Sequence, residues 1–214
     1  MSLNRDQFVV VLATLRRRFR EGEWVEGEPL TVADIAADCG VSATPVREAL
    51  ARLAGEGLVE DRRGRGYHAP RIDTAELTDL YRAQHILAQV ALAAARRFPT
   101  GRGPQPGPTS ADFVQHPASA WERLFELLIR QANNNFLVQE QRRLADRLAP
   151  VRRVEPSVLA EGAADFEPLA FAAAGADWNG LVETLRPFLR RRKAAVESLV
   201  VGMRLQSAKY KVSI

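Results

Sequence analysis

With 214 residues, 46% of them hydrophobic and 26% charged, the chain can bury one large core or two ordinary ones, and its single cysteine excludes an internal disulfide framework. No apolar run approaches the ~18 residues of a membrane span, and Met1 to Asp6 hold no basic stretch leading into an apolar one, so a cytoplasmic protein without a signal peptide is expected. The net charge of +4 is no argument for nucleic acid, because residues 1–70 hold ten Arg and Lys against eleven Asp and Glu, and the basic excess lies beyond them.

Phe8, Val9, Leu12, Leu15 and Phe19 recur at spacings of three and four, which predicts an amphipathic helix from Asp6 to Arg20 with Arg16-Arg17-Arg18 on its wet face. Thr31 can cap a second helix whose Val32, Ile35 and Ala36 face inward, and Gly40 stops it. Ser42 caps a third, with Pro45 in its first turn and Val46, Ala49, Leu50 and Leu53 on one face. At about 100° per residue the opposite face presents Thr44, Arg47, Glu48 and Ala51. Two helices joined by a tight turn, with small or polar residues facing outward, are how a helix-turn-helix meets the major groove. Leu58-Val59-Glu60 and Tyr67-His68-Ala69 then read as strands, joined by the basic, glycine-rich turn Arg62-Arg63-Gly64-Arg65-Gly66. Such a tip can bring backbone and guanidinium groups against phosphates.

The run Gly40-Val41-Ser42-Ala43-Thr44-Pro45-Val46-Arg47-Glu48-Ala49-Leu50, followed by Leu53, Gly57-Leu58-Val59 and Gly64-Arg65-Gly66, resembles the GntR family of bacterial regulators over about residues 5–70. The resemblance implies that Thr44 and Arg47 contact a double-stranded DNA operator and that Arg63, Gly64, Arg65 and Gly66 form the wing. Two departures stand out: Ala33 and Ala43 occupy places where the family commonly has arginine. Losing two guanidinium groups removes phosphate or base contacts, so an unusual operator or affinity is implied.

From Ile72 onward the pattern is helical. Thr74 can cap a helix with Leu77, Leu80, Tyr81, Ile86, Leu87 and Val90 on a broad apolar face, running to about Arg97. Residues 99–117 read as a Pro/Gly-rich loop. Further helices are predicted over Trp121 to Ala132, Phe136 to Leu148, Pro156 to Ala174 and Asn179 to Leu205. The chain is thus mainly α: a winged helix-turn-helix over 1–71 and an all-α antiparallel bundle over 72–214. That order resembles the FCD subgroup, whose helical domain binds the effector and dimerises. The resemblance implies a homodimer and a small-molecule effector.

Many members of that subgroup carry Asp and, four residues later, His where this chain reads Trp121-Glu122-Arg123-Leu124-Phe125-Glu126, and two further histidines fall on Phe166 and Phe188. The chain's histidines are His68, His85 and His116, none at those places, so no metal and no cofactor are expected and the effector is read as metal-independent. Candidate pocket residues are His85, Glu122, Glu126, Phe166 and Phe188. Glu122 and Glu126, one turn apart, repel each other and read more simply as a wet helix face. Arg142, Arg143, Arg147, Arg152 and Arg153 spread around one helix and its end. Arg190-Arg191-Arg192-Lys193 point in four directions, a solvated surface or, on a sharper reading, an anion site. No nucleophile–base pair or phosphate-cradling loop is present, so an enzyme is not expected. The alternative to an operator-binding regulator is a winged helix kept as a protein-interaction module.

Overall fold

The computed structural model describes residues 2–97, 106–159, 162–175 and 177–212. It divides into two compact units, one running to Ile72 and taking in the chain from Met203, the other Asp73–Gly202.

The first unit is built on three helices, α1 (Ser2–Glu21), α2 (Val32–Cys39) and α3 (Ala43–Gly55), and the strands β1 (Glu60–Arg62) and β2 (Gly66–His68). Val11, Leu15 and Phe19 bury one stripe of α1 against Val46, Ala49, Leu50 and Leu53 of α3, with Ile35 of α2 in the same core. Val9, expected on that stripe, is instead exposed, because Val11 sets the helix's phase four residues before Leu15 and eight before Phe19. Gly40 ends α2 at φ 65° and ψ 34°, the left-handed geometry that the turn between the helices requires. Thr31 and Ser42 stand at the N-caps with extended backbones, but neither side chain makes the capping hydrogen bond that the sequence suggests. The strands pair antiparallel in the register Glu60 with His68 and Arg62 with Gly66, two residues further into the hairpin than the apolar run Leu58-Val59 indicates. Those two side chains are spent on the core instead. The segment before α2 runs beside β2: Leu30 N–H donates to Tyr67 O (2.8 Å) and Ala69 N–H to Glu28 O (2.9 Å), tying the wing to the helix-turn-helix.

Ion pairs hold the helices of this unit at their wet edges. Arg16 meets Glu56, Arg17 meets Glu23 at 3.0 Å, and Arg18 meets Asp38 at 3.2 Å. Each such surface pair contributes at most about 1 kcal/mol, so the apolar core carries the unit. From the distal chain, Arg204 Nε donates to Glu26 Oε2 at 2.8 Å, while Glu26 Oε1 accepts from Ile72 N–H at 3.1 Å.

The second unit is helical among its described residues: α4 (Thr74–Arg97), α5 (Ser110–Gln115), α6 (Pro117–Arg130), α7 (Asn135–Val158), α8 (Gly162–Ala174), α9 (Trp178–Ala194) and the start of α10 (Val196–Val212). Helix α4 packs on α6, α7 and α9, α6 on α7, and α8 on α9. Leu77, Leu80 and Tyr81 are buried as expected, and further along α4 the buried face is carried by Ala88, Ala91, Leu92 and Ala95, whose small side chains let it approach its neighbours closely. Ile86 and Val90, expected in the core, are 52% and 49% exposed.

Three other expectations change. Of the predicted 99–117 loop, residues 99–105 lie outside the described residues. The rest contains α5, started by a capping box in which Asp112 N–H donates to Thr109 Oγ1 and Thr109 N–H to Asp112 Oδ2. The Arg123 guanidinium, with the Thr109 backbone and hydroxyl, holds the Asp112 carboxyl well below the usual carboxylate range. Pro156 does not open a helix: α7 runs through both Pro150 and Pro156 to Val158, because Leu148, Val151 and Val154 are buried and packing outweighs the ~3 kcal/mol cost of an interior proline. The long final helix is two, parted at Ala195, whose N–H is shared between the carbonyls of Arg191 and Arg192.

Leu50 is fully buried between α1 and α3, so Leu50→Ala should lower the unfolding free energy of the first unit by roughly 2–5 kcal/mol. Urea unfolding followed by a probe in that unit measures it, and a loss below about 1 kcal/mol would contradict the packing described.

Candidate functional site

Helix α3 divides cleanly. Its inner face is the core stripe described above, and its outer face presents Thr44, Arg47 and Glu48 to solvent. Pro45, buried in the first turn, fixes that phase. Arg63, Gly64, Arg65 and Gly66 are all exposed at the wing tip. Gly64 and Gly66 have φ of 71° and 76°, and a Cβ at either would meet nothing within 4 Å. These glycines therefore serve the backbone turn rather than close packing, and Arg65 N–H closes it on Arg62 O at 2.8 Å.

The segment before α2, α3 and the wing meet around one groove of about 400 Å³, lined by Pro29, Leu30, Thr31, Val32, Arg47, Arg65, Gly66 and Tyr67. Arg47 and Arg65, eighteen positions apart in sequence, thus border the same space. The wing's arginines differ in state. Arg62 folds back on Glu60, its Nη2 2.6 Å from Oε2. Arg63 and Arg65 make no ion pair among the described residues. Ala33 and Ala43 leave this face with methyl groups where longer basic side chains would extend it. His68, in β2, turns its Nδ1 to Gly66 O at 3.2 Å, a local contact within the wing.

In the second unit Phe166 and Phe188 are buried and converge on Trp121, with ring centroids 5.0 and 4.8 Å from it. Phe125, one turn after Trp121, lies 5.6 Å from Phe188, and Phe113 stacks on Phe166 at 4.8 Å. The positions where the family resemblance implies metal-binding residues are therefore closed by aromatic rings. Rings offer a metal no lone-pair donor of the required kind, so these residues do not fit a metal centre.

The other candidates lie apart from these rings or at their edge. Glu126 is on a salt-bridged outer face, accepting from Arg130 Nε at 3.0 Å and Arg142 Nη2 at 2.7 Å. Glu122 is half-buried and acts on Arg152 through space. His85 has a buried Nδ1 without a hydrogen-bond partner, and burial, then the nearby charges of Arg186 and Lys193, push its pKa down. His116 stands at the N-cap position of α6, its side chain making no capping hydrogen bond.

Sequence reasoning missed the polar centre of this unit. Arg192, read as part of a solvated cluster, is fully buried. Its guanidinium donates to Asp165 Oδ2 (2.6 Å) and Glu155 Oε2 (3.1 Å) and lies over the rings of Phe188 (3.7 Å) and Trp121 (4.8 Å). Arg191 pairs with the other oxygen of Asp165. Tyr81 Oη donates to Glu155 Oε1 at 2.7 Å; burial first, then the Glu155 charge, holds its hydroxyl well above the usual phenol range. Arg152, also buried, donates to Gln84 Oε1 at 2.7 Å and lies 5.3 Å from the Phe125 ring centre. The available signal was spacing: Glu155 and Arg152 sit one turn apart on α7, and Phe188 and Arg192 one turn apart on α9.

Comparison with known proteins bears on both units. Residues 9–68 match the family described as bacterial regulatory proteins, gntR family. The Nta operon transcriptional regulator of Aminobacter aminovorans is 38% identical over 69 residues, 32% of this chain and 33% of that protein. An uncharacterized HTH-type transcriptional regulator of Mycobacterium tuberculosis is 32% identical over 92 residues, 43% of this chain and 38% of that protein. The matches span about a third of the length of these curated relatives. Among solved structures, E. coli McbR/YncC superposes with a TM-score of 0.64 at 20% identity, covering 90% of this chain and 97% of that one. A candidate transcriptional regulator GntR from Rhodococcus sp. RHA1 superposes at 0.71 and 18% identity, covering 90% and 98%. At such identities these two structures bear on the fold alone. The winged helix-turn-helix of this chain is thus similar to the gntR family of bacterial regulatory proteins over residues 9–68, and its two-unit fold is shared with GntR-type structures.

Proposed function

We propose that this protein is a sequence-specific DNA-binding transcriptional regulator that acts as a homodimer, its operator affinity set by a small, metal-independent effector held in the second unit. The observation that carries the reading is the groove where Arg47 of the third helix and Arg65 of the wing border one space, both exposed and free of carboxylate partners among the described residues. A guanidinium on the outward face of a recognition helix suits a base edge in the major groove, and one on a wing tip suits phosphates beside it. The relatives named as transcriptional regulators support the same reading.

Dimerisation is supported by Ile86 and Val90, half-exposed aliphatic side chains one turn apart on α4. A second copy seated on that stripe would remove both from water. It would also supply a second recognition helix for a half-site about one helical turn away. The metal-independent character is supported by the aromatic side chains at positions 166 and 188.

Two measurements test the reading. Arg47→Ala should cost about 1–3 kcal/mol on a selected operator and much less on random DNA. Arg63→Ala or Arg65→Ala should weaken both nearly equally and reduce the salt slope by about one unit. Binding isotherms at two salt concentrations separate these, and if none of the three changes matters, the winged helix is a protein-interaction module. For the dimer, replacing Ile86 and Val90 together by glutamate should shift sedimentation from dimer to monomer and weaken operator binding, with helix content unchanged. A double variant that stays dimeric would remove that stripe from the interface.

A further inference from the structure

The two faces of α9 carry charge in different ways. The inner face buries Leu181, Leu185, Phe188 and Arg192, and the buried arginine is met by two carboxylates. The outer face presents Arg186, Arg190 and Lys193, exposed cations at spacings of four and three that fall on one side of the helix. None of the three makes an ion pair among the described residues. Elsewhere on the surface of this unit cations are matched: Arg82 meets Asp79, Arg123 meets Asp112, and Arg130 and Arg142 share Glu126. Arg186 and Arg190 border an open groove of about 410 Å³ with Pro187 and Glu183, the carboxylate at which the basic stripe ends. On α4, which packs against α9, His85 lies in the field of the same stripe. Its Nδ1 is buried without a hydrogen-bond partner, and burial, then the charges of Arg186 and Lys193, push its pKa down.

Like charges one turn apart repel, so this arrangement opposes folding unless an anion covers it. Seven residues of helix set the first and last of the three cations about 10 Å apart along the axis. One small anion reaches two of them at most. A strand of duplex DNA carries one phosphate per ~3.4 Å of its axis and offers about three over that length. The guanidinium fork suits phosphate oxygens, and lysine meets them as a point charge. We infer that the outer face of α9, through Arg186, Arg190 and Lys193, is a second DNA-contacting surface that grips the phosphate backbone of duplex flanking the operator. The inference goes beyond the operator-reading groove of the first unit and rests on that reading, because the operator duplex is the polyanion it brings to the protein. Contacts to phosphates alone add affinity and salt dependence and leave sequence preference unchanged.

The test uses the full chain and two duplexes: a selected operator of about 20 base pairs, and the same operator extended by about three helical turns on each side. Arg186→Gln, Arg190→Gln and Lys193→Gln are combined in one variant, which removes exposed charge and no core packing. On the extended duplex its salt slope should be lower by about two to three units than that of the unchanged chain, whereas on the trimmed duplex the two should bind alike. Imidazole NMR gives a local check, since the His85 resonances should move on adding the extended duplex and not the trimmed one. Should the triple variant fail to fold, Arg190→Gln alone decides, with an expected loss of about one unit of slope. The inference is overturned if the slope on the extended duplex is unchanged, or if the trimmed duplex shows the same loss. It is overturned equally if inorganic phosphate or tripolyphosphate saturates the stripe one to one in calorimetry and displaces no DNA, which would make it a small-anion site. Failure of the operator reading looks different: the unchanged chain would then not distinguish the operator from random DNA of equal length, whereas failure of the stripe leaves that preference intact.

Discussion

Arg192 is the side chain around which the second unit is organised. Its guanidinium is fully buried, stacked over Phe188 and Trp121 and bonded to Asp165 and Glu155, so a single group on α9 engages α6, α7 and α8 together. Removing such a charge from water costs several kcal/mol, and only well-placed carboxylates and bonds offset that. The positions of the partner helices are therefore tightly constrained, because a shift of an ångström in α7 or α8 would strand the cation. Tyr81 brings α4 into the same arrangement through Glu155. The aromatic rings do double duty, filling the apolar core and presenting their electron-rich faces to the cation.

The first unit depends on a different constraint, the phase of α3. Burying Val46, Ala49, Leu50 and Leu53 leaves Thr44 and Arg47 facing outward, and no separate mechanism is needed to expose them. The wing reaches the same groove because the segment before α2 pairs with β2, which ties the hairpin to the start of that helix. Local charge, rather than total charge, makes this surface. Acidic side chains in the unit are drawn into pairs with Arg16, Arg17, Arg18 and Arg62, whereas Arg63 and Arg65 have no such partner among the described residues. Residues 1–70, with a net charge of −1, can in this way present a cationic groove.

What was legible in the sequence follows from the range of the interactions involved. The turn at Gly40, the phase of α3 and the glycine-rich hairpin are set by residues within a few positions of one another, and each agrees with the structure. The capping box that starts α5 was equally local, in Thr109 and Asp112, and was hidden by the surrounding proline and glycine. Interactions that depend on distant partners were not legible. Nothing within α7 announces that packing will carry the helix through Pro150 and Pro156, and nothing in Arg190-Arg191-Arg192-Lys193 says which arginine meets Asp165, twenty-seven positions earlier. On α4, periodicity favoured Ile86 and Val90 for the core, yet in that half of the helix Ala88, Ala91, Leu92 and Ala95 are buried instead.

The same long-range logic sets the chemistry at the centre of the second unit. A metal centre needs several nitrogen, sulfur or carboxylate donors aimed at one point, and each donor is costly to bury unless the metal is present. In this chain the corresponding space is closed by Trp121, Phe125, Phe166 and Phe188, and the positive charge at their edge is covalently part of the protein, on Arg192. A built-in cation cannot dissociate. The centre also consumes its own acceptors: Glu155 and Asp165 are fully occupied by arginine and tyrosine donors.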